Sequence, residues 1–222
     1  SDRMKYHGDP DYFNVPIDGL LDKHYAKERA KSINPKAKTP SEDIFPGKIP
    51  FIDESPDTTH FSVIDSDGNA VSNTYTLGSS FGSGVTVPEG GFLLNNQMRN
   101  FSHLYGKSEK LSLSTSSANK LEPGKRMIST QTPTLVFSPE GDLMMILGSP
   151  GGGRIPNIIA QVISNVIDHK LGFAEAVMAP RINQRVGKNL ELESGFSPDT
   201  IELLKVIGHQ PKPSTTMGSV QA

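Results

Sequence analysis

Apolar positions are sparse in the first quarter of the chain and become periodic only after Thr58. Between Ile17 and Ile33 they fall at Leu20, Leu21, Tyr25 and Ala30 among many Lys, Glu and Arg residues, a pattern that predicts a surface helix. From Asn34 to Asp57 the chain is rich in Pro, Lys, Asp and Glu without periodicity and reads as an extended linker. At Thr58 the pattern changes abruptly. His60 to Asp65 alternates, Asp67-Gly68 supplies a tight hairpin turn, and Ala70 to Leu77 forms a second strand. Glycine and serine dominate Leu77 to Gly84, which reads as a loop, and Phe92 to Asn95 follows as a short strand.

Ser102 to Arg126 is polar and reads as a long loop able to cover a site. Thr134–Phe137 and Leu143–Leu147 predict another hairpin, turning at Glu140-Gly141. The helix after Gly151-Gly152-Gly153 carries Ile158, Ile159, Val162, Ile163, Val166 and Ile167 on one face. A shorter helix spans Ala174 to Ala179 and stops before Pro180; Leu190 to Glu193 reads as a strand. Ser197-Pro198-Asp199 then caps a helix through Ile207, with proline at its first position. No internal repeat is visible. Hairpins first and helices later predict an α+β sheet with helices on a face, rather than alternating βαβ units.

The chain's 222 residues suffice for one domain with a well-buried core. A formal net charge of −2 gives no electrostatic case for nucleic acid or an anionic membrane. Cysteine is absent, which excludes disulfides, thiolate catalysis and Cys-based zinc sites. The six histidines include no pair at helical i, i+4 spacing, so neither a metal nor another cofactor is expected. No apolar run approaches the ~20 residues of a membrane-spanning helix.

Candidate chemistry concentrates at Asp57-Thr58-Thr59-His60. An internal threonine hydroxyl is a poor nucleophile, but one at a chain start can pass its proton to its own α-amino group. That amine has an ordinary pKa of about 7.7–8.0, so a basic fraction exists near neutral pH. Scission of the Asp57–Thr58 bond would thus create nucleophile and base together. The Thr58 hydroxyl can itself attack the Asp57 carbonyl, giving an ester through an N-to-O shift that water resolves. The plainer alternative is a threonine pair placed before a strand by β-propensity. Gly148-Ser149-Pro150 lacks the second glycine of a nucleophile elbow, and no Gly-Lys-Ser/Thr follows the glycine run to make it a phosphate loop. That run lies between a buried strand and a helix N-terminus, where backbone N–H groups can face negative charge.

Thr58-Thr59-His60, Asn73-Thr74-Tyr75-Thr76-Leu77, Asn95-Asn96-Gln97-Met98 and Gly148-Ser149-Pro150-Gly151-Gly152 resemble, in this order and spacing, the γ-glutamyltranspeptidase family. The resemblance covers essentially the whole chain. It implies an αββα sandwich of the N-terminal nucleophile hydrolase type, with two stacked antiparallel sheets. It divides the chain into residues 1–57, the tail of a large subunit with a linker to the cleavage site, and residues 58–222, a small catalytic subunit ending short of the family's C-terminus. Self-cleavage before Thr58 and transfer of a γ-glutamyl group from glutathione-type amides, through an acyl-Thr58 ester, to water, an amino acid or a peptide are implied. The remainder of the large subunit is the implied partner, and a periplasmic or secreted location the implied setting.

By the same resemblance Thr76 orients the nucleophile, and Gly151 and Gly152 form the oxyanion hole, where loss of one donor typically costs ~2.7–4 kcal/mol. Ser129 and Thr130 hold the substrate α-carboxylate, and Gln97 lies near its α-amino group. Thr74 shares a strand face with Thr76 and joins the substrate-binding set. The alternatives are ordinary strand threonines and loop polars. Two departures from the family pattern stand out: Gly78 where an Asn is common, and Arg99-Asn100 where the family has Asp-Asp. Asn100 accepts hydrogen bonds but carries no charge for an ammonium, and losing one partner of a buried charge pair costs ~2–5 kcal/mol. This keeps open a glutaryl- or cephalosporin-type acylase of the same fold, or a catalytically silent fragment.

Overall fold

Asp22 divides the helix expected from Ile17 to Ile33. The computed structural model describes residues 2–44, 58–102, 116–184 and 189–222. A first short helix, α1 (Asp2–Tyr6), precedes α2 (Ile17–Leu21) and α3 (Lys23–Ala30). Between the last two, Asp22 is extended and its carboxylate accepts the His24 N–H at 2.8 Å. That cap ends one helix and starts the next. No residue of α2 or α3 is buried, in keeping with a surface position. Positions 45–57 of the expected linker, Asp57 among them, and 103–115 of the polar loop lie outside the described residues.

The alternation after Thr58 folds as β1 (Thr59–Ile64) paired antiparallel with β2 (Ala70–Tyr75), in register from Thr59↔Tyr75 to Ile64↔Ala70. Its turn is fixed by Asp65, whose carboxylate accepts the N–H groups of Asp67 (3.0 Å) and Asn69 (2.8 Å), while Gly68 takes a φ of +85°. β3 (Thr86–Val87) pairs with β4 (Phe92–Leu93), which is shorter than the strand expected there. β5 (Thr134–Phe137) and β6 (Leu143–Leu147) form the anticipated hairpin. Ser72 on β2 ties the first hairpin to this one. Its hydroxyl donates to the Leu147 carbonyl (3.2 Å) and accepts the Thr134 N–H (3.0 Å).

The core lies where β6 meets α4 (Ile155–Ile167): Met145, Leu147, Ile155, Ile159, Val162 and Ala176 are buried together. Each fully buried aliphatic side chain there stabilises the fold by roughly 1.5–3 kcal/mol relative to exposure. Ile163 and Val166 pack on this cluster, whereas Ile167, at the last helical position, is 38% exposed. α5 (Phe173–Met178) stops before Pro180. β7 (Ile182–Gln184) pairs antiparallel with β8 (Leu190–Leu192), and β9 (Pro211–Pro213) joins β8 in parallel. α6 (Pro198–Val206) starts at Ser197, whose hydroxyl accepts the Thr200 N–H at 3.2 Å. Helices beside hairpins make this an α+β chain; its ladders among the described residues are two- and three-stranded. No described helix is long and apolar enough to cross a membrane.

Candidate active site

The register of the first hairpin decides where the site forms. Thr59 pairs with Tyr75, so Thr58 before β1 and Thr76 after β2 flank one end of the ladder. Both line a pocket shared, among the described residues, with Gly78, Gln97, Arg99, Asn100, Ser129, Thr130, Gln131 and Gly152. The cavity thus gathers Thr58, Thr76, Gln97, Asn100, Ser129, Thr130 and Gly152 from the residues singled out in the sequence. Gly151 adjoins it through Gly152. Asp57 lies outside the described residues. Thr74 is placed elsewhere: it is 7% exposed, with Oγ1 2.6 Å from His60 Nδ1 beneath the hairpin.

A chain of amides fixes one wall. The Thr76 hydroxyl accepts the Gly78 N–H at 2.9 Å, and its carbonyl accepts Gln97 Nε2 at 3.1 Å. Gln97 Oε1 in turn accepts Asn100 Nδ2 at 2.9 Å. Gln97 and Asn100 are carried by a 3₁₀ turn, Gln97–Asn100. Gly78 has a φ of +93°, and a Cβ there would fall 2.1 Å from Asn96 Oδ1. Asn96 therefore fills the space a side chain at 78 would need, and its Nδ2 donates to Ser79 Oγ at 2.9 Å. Arg99 Nη1 donates to the same hydroxyl at 3.2 Å.

The opposite wall is the Ser129-Thr130 segment, where Ser129 Oγ accepts the Gln131 N–H at 3.2 Å. Asn119, fully buried, connects the two walls. Its Nδ2 donates to the Asn100 carbonyl (2.6 Å) and its Oδ1 accepts the Ile128 N–H (3.1 Å). Sequence reasoning missed this residue, because a lone Asn in a polar stretch looks like solvent-facing loop. The segment is also gripped from upstream. Asp9, with a side chain 1% exposed, accepts the Arg126 backbone N–H (2.7 Å), Nε (3.1 Å) and Nη2 (2.6 Å). The Arg126 hydrogen bonds hold the Asp9 carboxyl well below the usual carboxylate range.

The glycine loop closes the cavity. Gly151 and Gly152 take φ values of +141° and +56°, which side chains strongly disfavour, and Gly152 is buried. Arg154, one turn on, is held bidentately by Glu191 of β8: Nε–Oε2 is 3.0 Å and Nη2–Oε1 3.1 Å. Asn183 donates to Glu191 Oε2 at 2.7 Å and accepts from Asn157 at 2.8 Å. The preceding Gly148 exchanges both backbone hydrogen bonds with Gln221, at 3.1 and 2.9 Å. The arrangement can present backbone donors to an oxyanion beside a threonine hydroxyl. Among the described residues no cluster of His, Cys, Asp and Glu could hold a metal ion.

The family model described as gamma-glutamyltranspeptidase matches residues 1–222. The glutathione hydrolase proenzyme of Escherichia coli (strain K12) is 44% identical over 224 residues, covering 100% of this chain and 38% of that protein. This chain therefore spans about two fifths of the length of that curated relative. A solved Helicobacter pylori gamma-glutamyltranspeptidase mutant superposes with a TM-score of 0.66 at 42% identity, covering 73% of this chain and 88% of that one. The cephalosporin acylase of Bacillus halodurans gives a TM-score of 0.79 at 31% identity, covering 99% of this chain and 37% of that one.

Proposed function

Since the chain belongs to the gamma-glutamyltranspeptidase family, we propose that it forms part of an amidohydrolase and acyltransferase that cleaves itself before Thr58. Its fold is that of the N-terminal nucleophile hydrolases, the αββα class, as in its solved neighbours. The observation that carries the reading is the convergence of Thr58, Thr76, Ser129 and Gly152 on one cavity. In the precursor the Thr58 hydroxyl attacks the Asp57 carbonyl carbon and the Asp57–Thr58 amide becomes an ester. Water hydrolyses that ester, leaving a carboxyl terminus on Asp57 and a free amine on Thr58. Residues 1–57 then end the large subunit and residues 58–222 belong to the small one.

In turnover the freed amine takes the Thr58 hydroxyl proton as the oxygen attacks the amide carbon of the substrate. The tetrahedral oxyanion faces the N–H groups of Gly151 and Gly152, and the leaving amine departs with the proton. Water or an amino-acid or peptide amine then takes the acyl group from the Thr58 ester. Thr76 orients the hydroxyl, Ser129 and Thr130 receive the α-carboxylate, and Gln97 and Asn100 line the α-carbon. Glutathione or another γ-glutamyl amide is the donor, and the periplasm or cell exterior the setting. A mass spectrum of the full-length product tests the reading: two chains divided at Thr58 support it, and an active preparation with that bond intact overturns it. The neutral Asn100 favours a second reading, an acylase of dicarboxylic acyl groups lacking the α-amine. Relative rates on γ-glutamyl and glutaryl anilides separate the two.

A further inference from the structure

Of the ten described residues lining the pocket, Arg99 is the one of a charged type. We propose that Arg99 is a specificity-determining residue that grips a carboxylate of the bound amide or of its acceptor; this rests on the Thr58 reading. Three structural features support that role. First, the guanidinium is anchored on an uncharged group, with no carboxylate partner among the described residues. Among the described residues its partner is the Ser79 hydroxyl, an uncharged acceptor that receives one guanidinium N–H, from Nη1, at 3.2 Å. The remaining N–H groups form a planar fork suited to a carboxylate.

Second, its seat is built. Ser79 is fixed by Asn96 Nδ2 at 2.9 Å, and Asn96 reaches it by occupying the volume that Gly78 leaves open. Glycine at 78 and arginine at 99 are thus parts of one arrangement, although 21 residues separate them. Third, the neutral groups beside Arg99 are already committed to one another. Gln97 Oε1 is taken by Asn100, and Gln97 Nε2 by the Thr76 carbonyl. An ammonium entering here meets one cation and no anion among the described lining residues, whereas a carboxylate meets a guanidinium whose partner among them is a neutral hydroxyl.

The carboxylate can come from the acyl half, as in a dicarboxylic acyl group, or from the amine half, as in an amino-acid or peptide acceptor. Steady-state kinetics on the full-length, processed protein distinguish the sources. In one arm glutaryl and glutaramoyl p-nitroanilides are compared as donors; in the other, glycylglycine and glycylglycine amide are compared as acceptors. Arg99→Ala raises KM for the carboxylate-bearing compound of one arm by about tenfold more than for its amide-capped analogue, and Arg99→Lys recovers part of the loss. Equal changes for capped and uncapped compounds in both arms overturn the proposal. Calorimetric titration of glutarate and glycylglycine into the wild type and Arg99→Ala gives a readout independent of turnover. If no amide is turned over but the arginine variant selectively loses binding, the Thr58 reading fails and the carboxylate grip stands. If neither compound binds the wild type, or both proteins bind alike, the grip is overturned.

Discussion

His60 Nδ1 lies 2.6 Å from Thr74 Oγ1, its partner across the first hairpin, and the Ser62 hydroxyl sits 3.2 Å from the other ring nitrogen. His60 is 4% exposed, and burial lowers its pKa below the ordinary value. Room for the ring exists because residue 148 is glycine: a Cβ there would fall 2.1 Å from His60 Nδ1. Thr74 thus braces the underside of the strand whose end carries Thr76.

Stability is expected to fall in mild acid. The unfolded chain binds a proton at His60 near pH ~6.5, while the folded chain binds it at lower pH. The contribution is present above the unfolded pKa and is lost as pH falls through the folded one. Burial lowers His7 and His209 in the same direction, with Arg3 and Lys38 respectively adding to it. Thermal unfolding between pH 7.5 and 5 checks this (about one pH unit either side of the imidazole range). The slope should be shallower in His60→Gln.

Thr58→Ala should abolish chain scission and turnover together. Denaturing gels and anilide hydrolysis read the two losses separately; scission at the wild-type rate would assign the nucleophile elsewhere.

Gly78→Asn, which restores the residue common in the family, should destabilise this chain. The added Cβ meets Asn96 Oδ1 and the backbone is at a φ of +93°. A cost of about 1–3 kcal/mol is expected from the backbone conformation. The double variant with Asn96→Ala should regain part of the lost Tm, because it removes the clash but not the strain.

Asn119→Leu should weaken both walls of the cavity at once. It leaves the Ile128 N–H and the Asn100 carbonyl without their partner, at about 1–3 kcal/mol for each buried group left unsatisfied. A lower Tm together with a raised KM is the expected pair of readouts.

Glu191→Gln should act on the glycine loop through Arg154. The variant keeps the side-chain shape but loses the charge that binds the guanidinium bidentately, a change worth about 2 kcal/mol for hydrogen bonds to a charged group. The expected result is a kcat lowered by about tenfold or more with KM little altered, as the proposed oxyanion role of the loop requires. A KM effect alone would assign Glu191 to ground-state binding.

Much of this architecture is legible from local pattern. The alternation of β1 and β2, the Asp65 turn, the apolar stripe of α4 and the Ser197 cap depend on neighbours within a few positions, so the sequence displays them. The break at Asp22 was also visible as a capping residue, but the charge-rich periodicity around it masked the signal. β7 is only three residues long, β9 pairs with β8 across a helix, and Pro211 and Pro213 speak against a strand unless it lies at a sheet edge. Thr58, Thr76 and the glycine loop stand out through their motifs. The demand for glycine at 78 and 148, and the bridging by Asn119, arise from contacts across the fold and have no local signature.

Asp9 and Arg126 lie 117 positions apart, on opposite sides of the bond before Thr58, and three hydrogen bonds join them. A break in the covalent chain between them would not by itself let the upstream piece drift off. The wall bearing Ser129 would stay moored by a noncovalent hinge pin.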